Sequence, residues 1–224
     1  MEYRHEHKFL LDWMEYLTLR ARLRASMRPD SHAGENGEYF IRSLYFDDPE
    51  DTALYEKLSG VDRREKFRIR YYNRDPSYMV LEKKSKRNGL SNKQSAPMSA
   101  AEASALLNGG NAWMAESGHL LIREFYMKLM ARKLSPKTVV DYTREPFVFP
   151  AGNVRITLDR DIRTGAYQTD FLRPDLMTLP ISTGDVVLEV KYDAFLPGLV
   201  RDLIQGCGLR ETAMSKYAHC RIYG

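Results

Sequence analysis

The segment Lys66-Phe67-Arg68-Ile69-Arg70-Tyr71 alternates basic and apolar residues without a break, and this constrains the fold more than any other feature of the chain. In a strand, successive side chains point to opposite faces, so Lys66, Arg68 and Arg70 share one face at about 6.6–6.8 Å spacing. Phe67, Ile69 and Tyr71 take the other. Period-2 alternation recurs at 3–10, 39–46, 79–86, 138–144, 154–159 and 186–192, a strand series covering the whole chain. Seven or eight strands with few helices between them predict an antiparallel barrel or sandwich, and 224 residues suffice for one such domain over 1–224. Helices are expected at 12–27, 99–107, 111–133 and 196–205, the second opening on the capping box Ser99 and Glu102. Loops are expected at 28–37, 87–97 and 164–184, and no internal repeat or low-complexity tract is present.

The same arithmetic groups Arg4 with Glu6 and Lys8, Glu82 with Lys84 and Lys86, Arg155 with Thr157 and Asp159, and Glu189 with Lys191. Val80, Leu81, Ile156, Leu158, Leu188 and Val190 supply apolar partners. An ordinary sandwich would present such charges to water, but a solvated face usually mixes in Thr, Ser, Gln and Asn. Strict alternation with basic residues on several strands points instead to a concave anion site. Phosphate chains suit it, because Arg offers a planar fork for phosphate oxygens and Lys a compact point charge.

Composition excludes several classes. Lys and Arg total 34 against 30 Asp and Glu, too small an excess to call for nucleic acid by itself. Cys207 and Cys220 are the only cysteines, with neither zinc-finger spacing nor a disulfide framework, so a reduced cytoplasmic setting is expected. No segment approaches the roughly 20 apolar residues of a membrane span and no apolar signal core opens the chain. The expectation is a soluble cytoplasmic protein able to dock on a membrane-protein partner.

Eight short motifs occur in order: Arg4-x-Glu6-x-Lys8, Ser43-Leu44-Tyr45-Phe46-Asp47, Lys66-x-Arg68-x-Arg70-Tyr71, Leu81-Glu82-x-Lys84, Tyr142-x-Arg144, Arg155-x-Thr157-x-Asp159, Leu188-Glu189-x-Lys191-Tyr192 and Ser215-Lys216-Tyr217. Together they resemble the VTC domain of the vacuolar transporter chaperone polyphosphate polymerases, within the triphosphate tunnel metalloenzymes, or CYTH-like proteins. The resemblance implies a mainly β (α+β) fold, an eight-stranded closed antiparallel tunnel with flanking helices. It also implies a divalent metal, Mn or Mg, and transfer of the ATP γ-phosphate to a growing inorganic polyphosphate chain. By the same resemblance Arg68, Arg70, Lys84, Arg144 and Arg155 grip phosphates, Glu189 holds the metal, and Lys216 closes one end of the tunnel. Lys8, Lys66, Lys86, Lys93 and Lys191 complete the expected phosphate-binding set, with Arg4, Tyr142 and Thr157 as further tunnel residues.

Two departures stand out. Members of this family often carry Lys-x-Arg after the Glu-x-Lys strand, whereas Lys93 is followed by Gln94 and Ser95. Arg4 stands where hydrolytic relatives place the first glutamate of Glu-x-Glu-x-Lys.

Glu6, Glu82, Asp159 and Glu189 are the candidate metal ligands, since a Mg²⁺-like ion takes one or two carboxylates beside substrate phosphates. The alternative is that they pair with Lys and Arg across the tunnel. His5 and His7, at the opposite parity to Glu6, are expected to point outward. Ser43 has no local base or nucleophile elbow, and it is read as structural along with Trp13, Trp113 and the methionines. Against the polymerase stand three other readings: hydrolysis of a triphosphate in the same tunnel, a non-catalytic polyphosphate-binding module, and nucleic-acid binding. The last lacks the aromatic stacking motifs of RNA-binding domains.

Overall fold

The computed structural model describes residues 3–182, 184–205, 209 and 211–224; Cys207 lies outside them. The strands among these residues are β1 (His5–Leu11), β2 (Arg28–Pro29), β3 (Tyr39–Asp47), β4 (Arg64–Tyr72), β5 (Asp75–Arg87), β6 (Leu90–Met98), β7 (Ser135–Phe149), β8 (Val154–Thr164), β9 (Leu179–Pro180) and β10 (Val186–Tyr192). The helices are α1 (Trp13–Ser26), α2 (Thr52–Leu58), α3 (Ala100–Leu107), α4 (Leu120–Arg132), α5 (Gly198–Gln205) and α6 (Lys216–Ile222). None of the described helices is long and apolar enough to cross a membrane.

The sheet is antiparallel and follows the path β1-β10-β8-β7-β3-β4-β5-β6, with β2 added to β7 and β9 to β8. The expected closed eight-stranded tunnel needs correction. The sheet has ten strands, and its edge strands β1 and β6 meet at one bridge, Arg4 to Ser91, through backbone hydrogen bonds of 2.9 and 3.0 Å. Register explains the single bridge: beyond Arg4, β1 runs past the start of β6, and beyond Ser91, β6 would need partners preceding Arg4.

Alternation sends most of the apolar residues outward. Phe67, Ile69 and Tyr71 join Phe46, Leu81 and the α4 residues Ile122 and Phe125 in one core, with Phe67 and Phe125 rings stacked at 5.1 Å. Ile156, Leu158, Leu188 and Val190 pack against Leu19 and Leu23 of α1 in a second. Helix α1 begins where Asp12 and Glu15 form a reciprocal capping box at 2.8 Å each way. Helices α1, α3, α4 and α5 thus cover outer faces of the sheet, while α2 and α6 pack with Tyr39, Ile41, Tyr45, Val140 and Tyr142 in a third core on the inner parity, beside the charged positions.

Several elements differ from expectation. Residues 87–97, expected as a loop, hold the turn at Asn88-Gly89 and most of β6; both turn residues have positive φ, 51° and 75°, as a tight two-residue hairpin requires. The expected helix 111–133 is broken into a 3-10 turn at Ala112–Glu116 and α4, because Ser117-Gly118 interrupts it. Short helices α2 and α6 form where none was expected. Val80 is the ladder partner of Arg70, so it shares the inner face with Glu82 rather than joining Leu81 outside.

Candidate functional site

Cross-strand register brings the inner-facing charges together around four buried carboxylates. On neighbouring β1 and β10, Glu6 lies opposite Lys191 and Lys8 opposite Glu189. The Lys191 Nζ is 2.5 Å from Glu189, and Lys8 lies 3.4 Å from Glu6 and 3.5 Å from Glu189. Lys84 reaches from β5 across the gap between the sheet edges and donates to both Glu6 oxygens, at 2.6 and 2.7 Å. Where the backbone ladder stops, this ion pair ties β1 to β5.

A second group surrounds Glu82, which accepts from Arg68 Nε at 2.8 Å and Lys93 Nζ at 3.2 Å, with Arg70 Nε at 3.5 Å. In a third, Asp159 receives both arms of Arg144, at 2.6 and 2.7 Å, and Lys216 from the start of α6 at 2.5 Å. Tyr142 sits among these cations: Arg70 donates to its hydroxyl at 3.0 Å, and Arg144 and Lys216 lie 5.4 and 4.9 Å from its ring centre.

Lys66 is different. Among the described residues it meets no carboxylate; its ammonium lies 5.3 and 5.8 Å from the rings of Tyr45 and Tyr217 and 3.5 Å from Ser215 Oγ. Glu6, Lys8, Lys66, Lys84, Lys86 and Ser215 line a cavity of about 880 Å³ between the sheet edges and α6.

The charge states follow from the packing. Burial and the neighbouring Glu189 push the Glu6 carboxyl up, but Lys84, Lys8 and Lys191 together hold it well below the usual carboxylate range. Burial likewise opposes ionisation of Glu189, which Lys191, Lys8 and Lys84 overcome, and of Glu82, which Arg70, Arg68 and Lys93 overcome. Arg144 and Lys216 overcome burial in the same way at Asp159, so all four carboxylates are held ionised. Burial, reinforced by Lys84, Lys8 and Arg68, drives the Lys66 ammonium well below its ordinary range. Lys84 falls to about 8, since burial outweighs its attraction to Glu6.

Two expected residues lie apart from these groups. Arg4 is committed to Asp193 at 2.6 Å and to the Asn153 carbonyl. Arg155 pairs with Asp30 and donates to Tyr39 Oη at 3.1 Å. Thr157 is buried, with its hydroxyl unpartnered. His5 and His7 stack on Tyr192, and His7 also meets Glu211 at 2.8 Å, outside the carboxylate groups.

Sequence reasoning missed Tyr45, whose hydroxyl accepts from Arg68 at 2.7 Å, and the α6 plug around Tyr217, which stacks on Tyr45 and donates to Asp47 at 2.7 Å. Tyr45 shares the parity of Tyr39, Ile41 and Ser43, a signal available in the sequence. Asp30 offered none.

A divalent ion fits one place better than the others. Asp159 is spent on a bidentate arginine and a lysine, and Glu82 on three cations; Glu6 also meets three, Lys84, Lys8 and Lys191, but it shares the last two with Glu189, and these two carboxylates lie close enough to perturb each other. No group of three or more acidic, His or Cys residues able to hold a metal occurs among the described residues. Two carboxylates suffice when phosphate oxygens supply the remaining positions.

An antiparallel sheet curled about a cation-rich interior is the architecture of the triphosphate tunnel proteins. Within that class the chain belongs to the VTC domain family, whose model matches residues 3–223. Among solved structures it is similar to a candidate adenylate cyclase from Bacillus halodurans, at 15% identity and a TM-score of 0.57, over 96% of this chain and 94% of that one. It is also similar to a candidate adenylyl cyclase from Hippeastrum described as having a dominant triphosphatase activity, at 14% identity and a TM-score of 0.56, over 98% and 95% of the two chains. A protein of Pyrococcus horikoshii shares the fold at 12% identity and a TM-score of 0.52, over 96% and 97%. Comparison with curated proteins gave no match.

Proposed function

We propose that the protein is a polyphosphate polymerase that transfers the γ-phosphate of ATP to a growing polyphosphate chain inside the sheet. The observation that carries this reading is Lys66: a half-buried ammonium on the cavity wall with no carboxylate partner is costly unless an anion joins it. Nine basic side chains, Lys8, Lys66, Arg68, Arg70, Lys84, Lys93, Arg144, Lys191 and Lys216, surround four carboxylates, and a phosphate chain would neutralise the excess.

Phosphoryl transfer is mostly positioning and charge stabilisation, and it needs no protein nucleophile. Arg68, Arg70 and Arg144 would hold non-bridging oxygens by their forks, with Lys66 and Lys84 as point charges beside them. Glu6 and Glu189 would hold a Mn or Mg ion, which supplies further neutralisation of the phosphate oxygens. Arg4, bound to Asp193, contributes no carboxylate to that ion.

A second reading, hydrolysis of a triphosphate in the same interior, is favoured by the triphosphatase activity described for the Hippeastrum protein. Incubation with ATP and manganese, followed by gel electrophoresis stained for polyphosphate, separates the two. A ladder of polymer is expected. Stoichiometric free phosphate without polymer would make the protein a hydrolase, and no turnover with retained tripolyphosphate binding would make it a binding module.

A further inference from the structure

Six buried side-chain polar atoms among the described residues have no hydrogen-bond partner, and two of them, Ser43 Oγ and Arg70 Nε, belong to residues directly opposite each other in the β3–β4 ladder. Directly opposed side chains on one sheet face stand about 4.5–5.5 Å apart at Cβ. Ser43 shares the parity of Tyr39, Ile41 and Tyr45 and is opposite to Leu44 and Phe46, which lie in the outer core. Its hydroxyl therefore projects to the inner face, between Arg70 on one side and Val140 on the other. Ser43 is 0% exposed.

A buried hydroxyl without a partner costs free energy, and such a group in a folded protein calls for an explanation. Packing alone does not give one, since alanine fills nearly the same volume without the cost. The surroundings do. Arg70 has its Nη2 on Tyr142 Oη at 3.0 Å and only a 3.5 Å approach of Nε to Glu82, so its Nε keeps donor capacity. A neutral hydroxyl donor and a guanidinium donor thus belong to directly opposed residues of one sheet face, and no protein acceptor serves either.

We propose that Ser43 is a ligand of the bound phosphate chain, its hydroxyl donating to a non-bridging phosphate oxygen held by Arg70. The inference rests on the reading of the interior as a phosphate-chain site and deepens it, because a neutral donor fixes the position of one phosphoryl group where Lys and Arg alone fix mainly charge. Arg70 is placed by the alternation of β4; Ser43 is placed by its register against Arg70.

The test is calorimetric binding of inorganic tripolyphosphate to the wild-type protein and to Ser43→Ala, with a thermal melt of each free protein. The variant is expected to bind roughly tenfold more weakly, by loss of one charge-assisted hydrogen bond. Its free form should melt at the wild-type temperature or higher, which a purely structural serine would not allow. Wild-type binding with equal affinity in the variant overturns this inference alone, as does a lower melting temperature of the free variant. If the wild type itself fails to bind tripolyphosphate, the phosphate reading of the interior fails and takes this inference with it.

Discussion

Lys66 separates stability from binding at a single position. Replacing it by Met removes a half-buried ammonium that no carboxylate compensates while keeping most of the side-chain volume. Lys66→Met should therefore melt no lower than wild type yet bind tripolyphosphate at least about tenfold more weakly; unchanged affinity would remove Lys66 from the site. The carboxylates should behave differently from one another. Glu82→Gln strands Arg68, Arg70 and Lys93 together, and it is expected to cost about 3–5 kcal/mol in urea unfolding, as breaking a buried ion pair does. Glu189→Gln leaves Lys8 and Lys191 with Glu6 as a remaining partner, so it should fold and lose manganese-dependent turnover; full turnover there would place the ion elsewhere. Lys84 gives a pH dependence with a definite sign. Its folded value of about 8 lies below its ordinary 10.5, so between those values the unfolded chain holds a proton the folded protein has lost, and this group's contribution to stability rises with pH. Affinity for a polyanion goes the other way, since the ammonium charge is present below about 8 and lost above it. Titrations in buffers of different ionisation heat near that pH should show proton uptake on tripolyphosphate binding; none would mean that Lys84 stays away from the ligand.

At the scale of elements, α6 is anchored on the connection between β3 and α2. Tyr217 donates to Asp47, whose carboxylate also receives the Ala53 and Leu54 amides at the start of α2, and Arg221 pairs with Asp51 at 2.5 Å. Tyr217→Phe removes a hydrogen bond to a charged acceptor and should cost about 1.5–3 kcal/mol of unfolding free energy. Equal urea midpoints would show that α6 closes the interior without that anchor. The strands carrying strict alternation, β4 and β10 above all, were legible because one residue type filled each parity. The polar run Leu90-Ser91-Asn92-Lys93-Gln94-Ser95 has no such contrast, so β6 was hidden even though Asn88-Gly89 is a strong hairpin signal. Most of the charged interior was likewise readable from parity. What parity could not show is which partner each cation finds: Arg155 shares the inner-facing positions of β8 with Asp159, yet its side chain is drawn to Asp30 just after β2, a residue 125 positions away in sequence. The register offset that reduces β1 and β6 to one bridge is equally non-local.

Over the whole molecule the charge is partitioned. The nine basic and four acidic groups of the interior have an excess of five positive charges, against a net +4 for the entire chain, so everything outside them sums to about −1. An exterior near neutrality adds no net attraction for duplex nucleic acid, whereas the phosphate chain proposed above would meet the interior cations directly. The binding of that chain should then appear as stabilisation of the whole fold, because a ligand bound only by the native state raises unfolding free energy by mass action, about 2.7 kcal/mol at one hundred times its dissociation constant. Tripolyphosphate is expected to raise the melting temperature in a concentration-dependent way. Orthophosphate at equal concentration should do so less, since it reaches only part of the cation array, and a short DNA duplex at about 0.15 M salt should leave the melt unchanged, its surface attraction being screened. If the duplex shifts the melt as far as tripolyphosphate does, the effective positive charge lies outside the sheet, and the partition argued from these nine side chains is wrong.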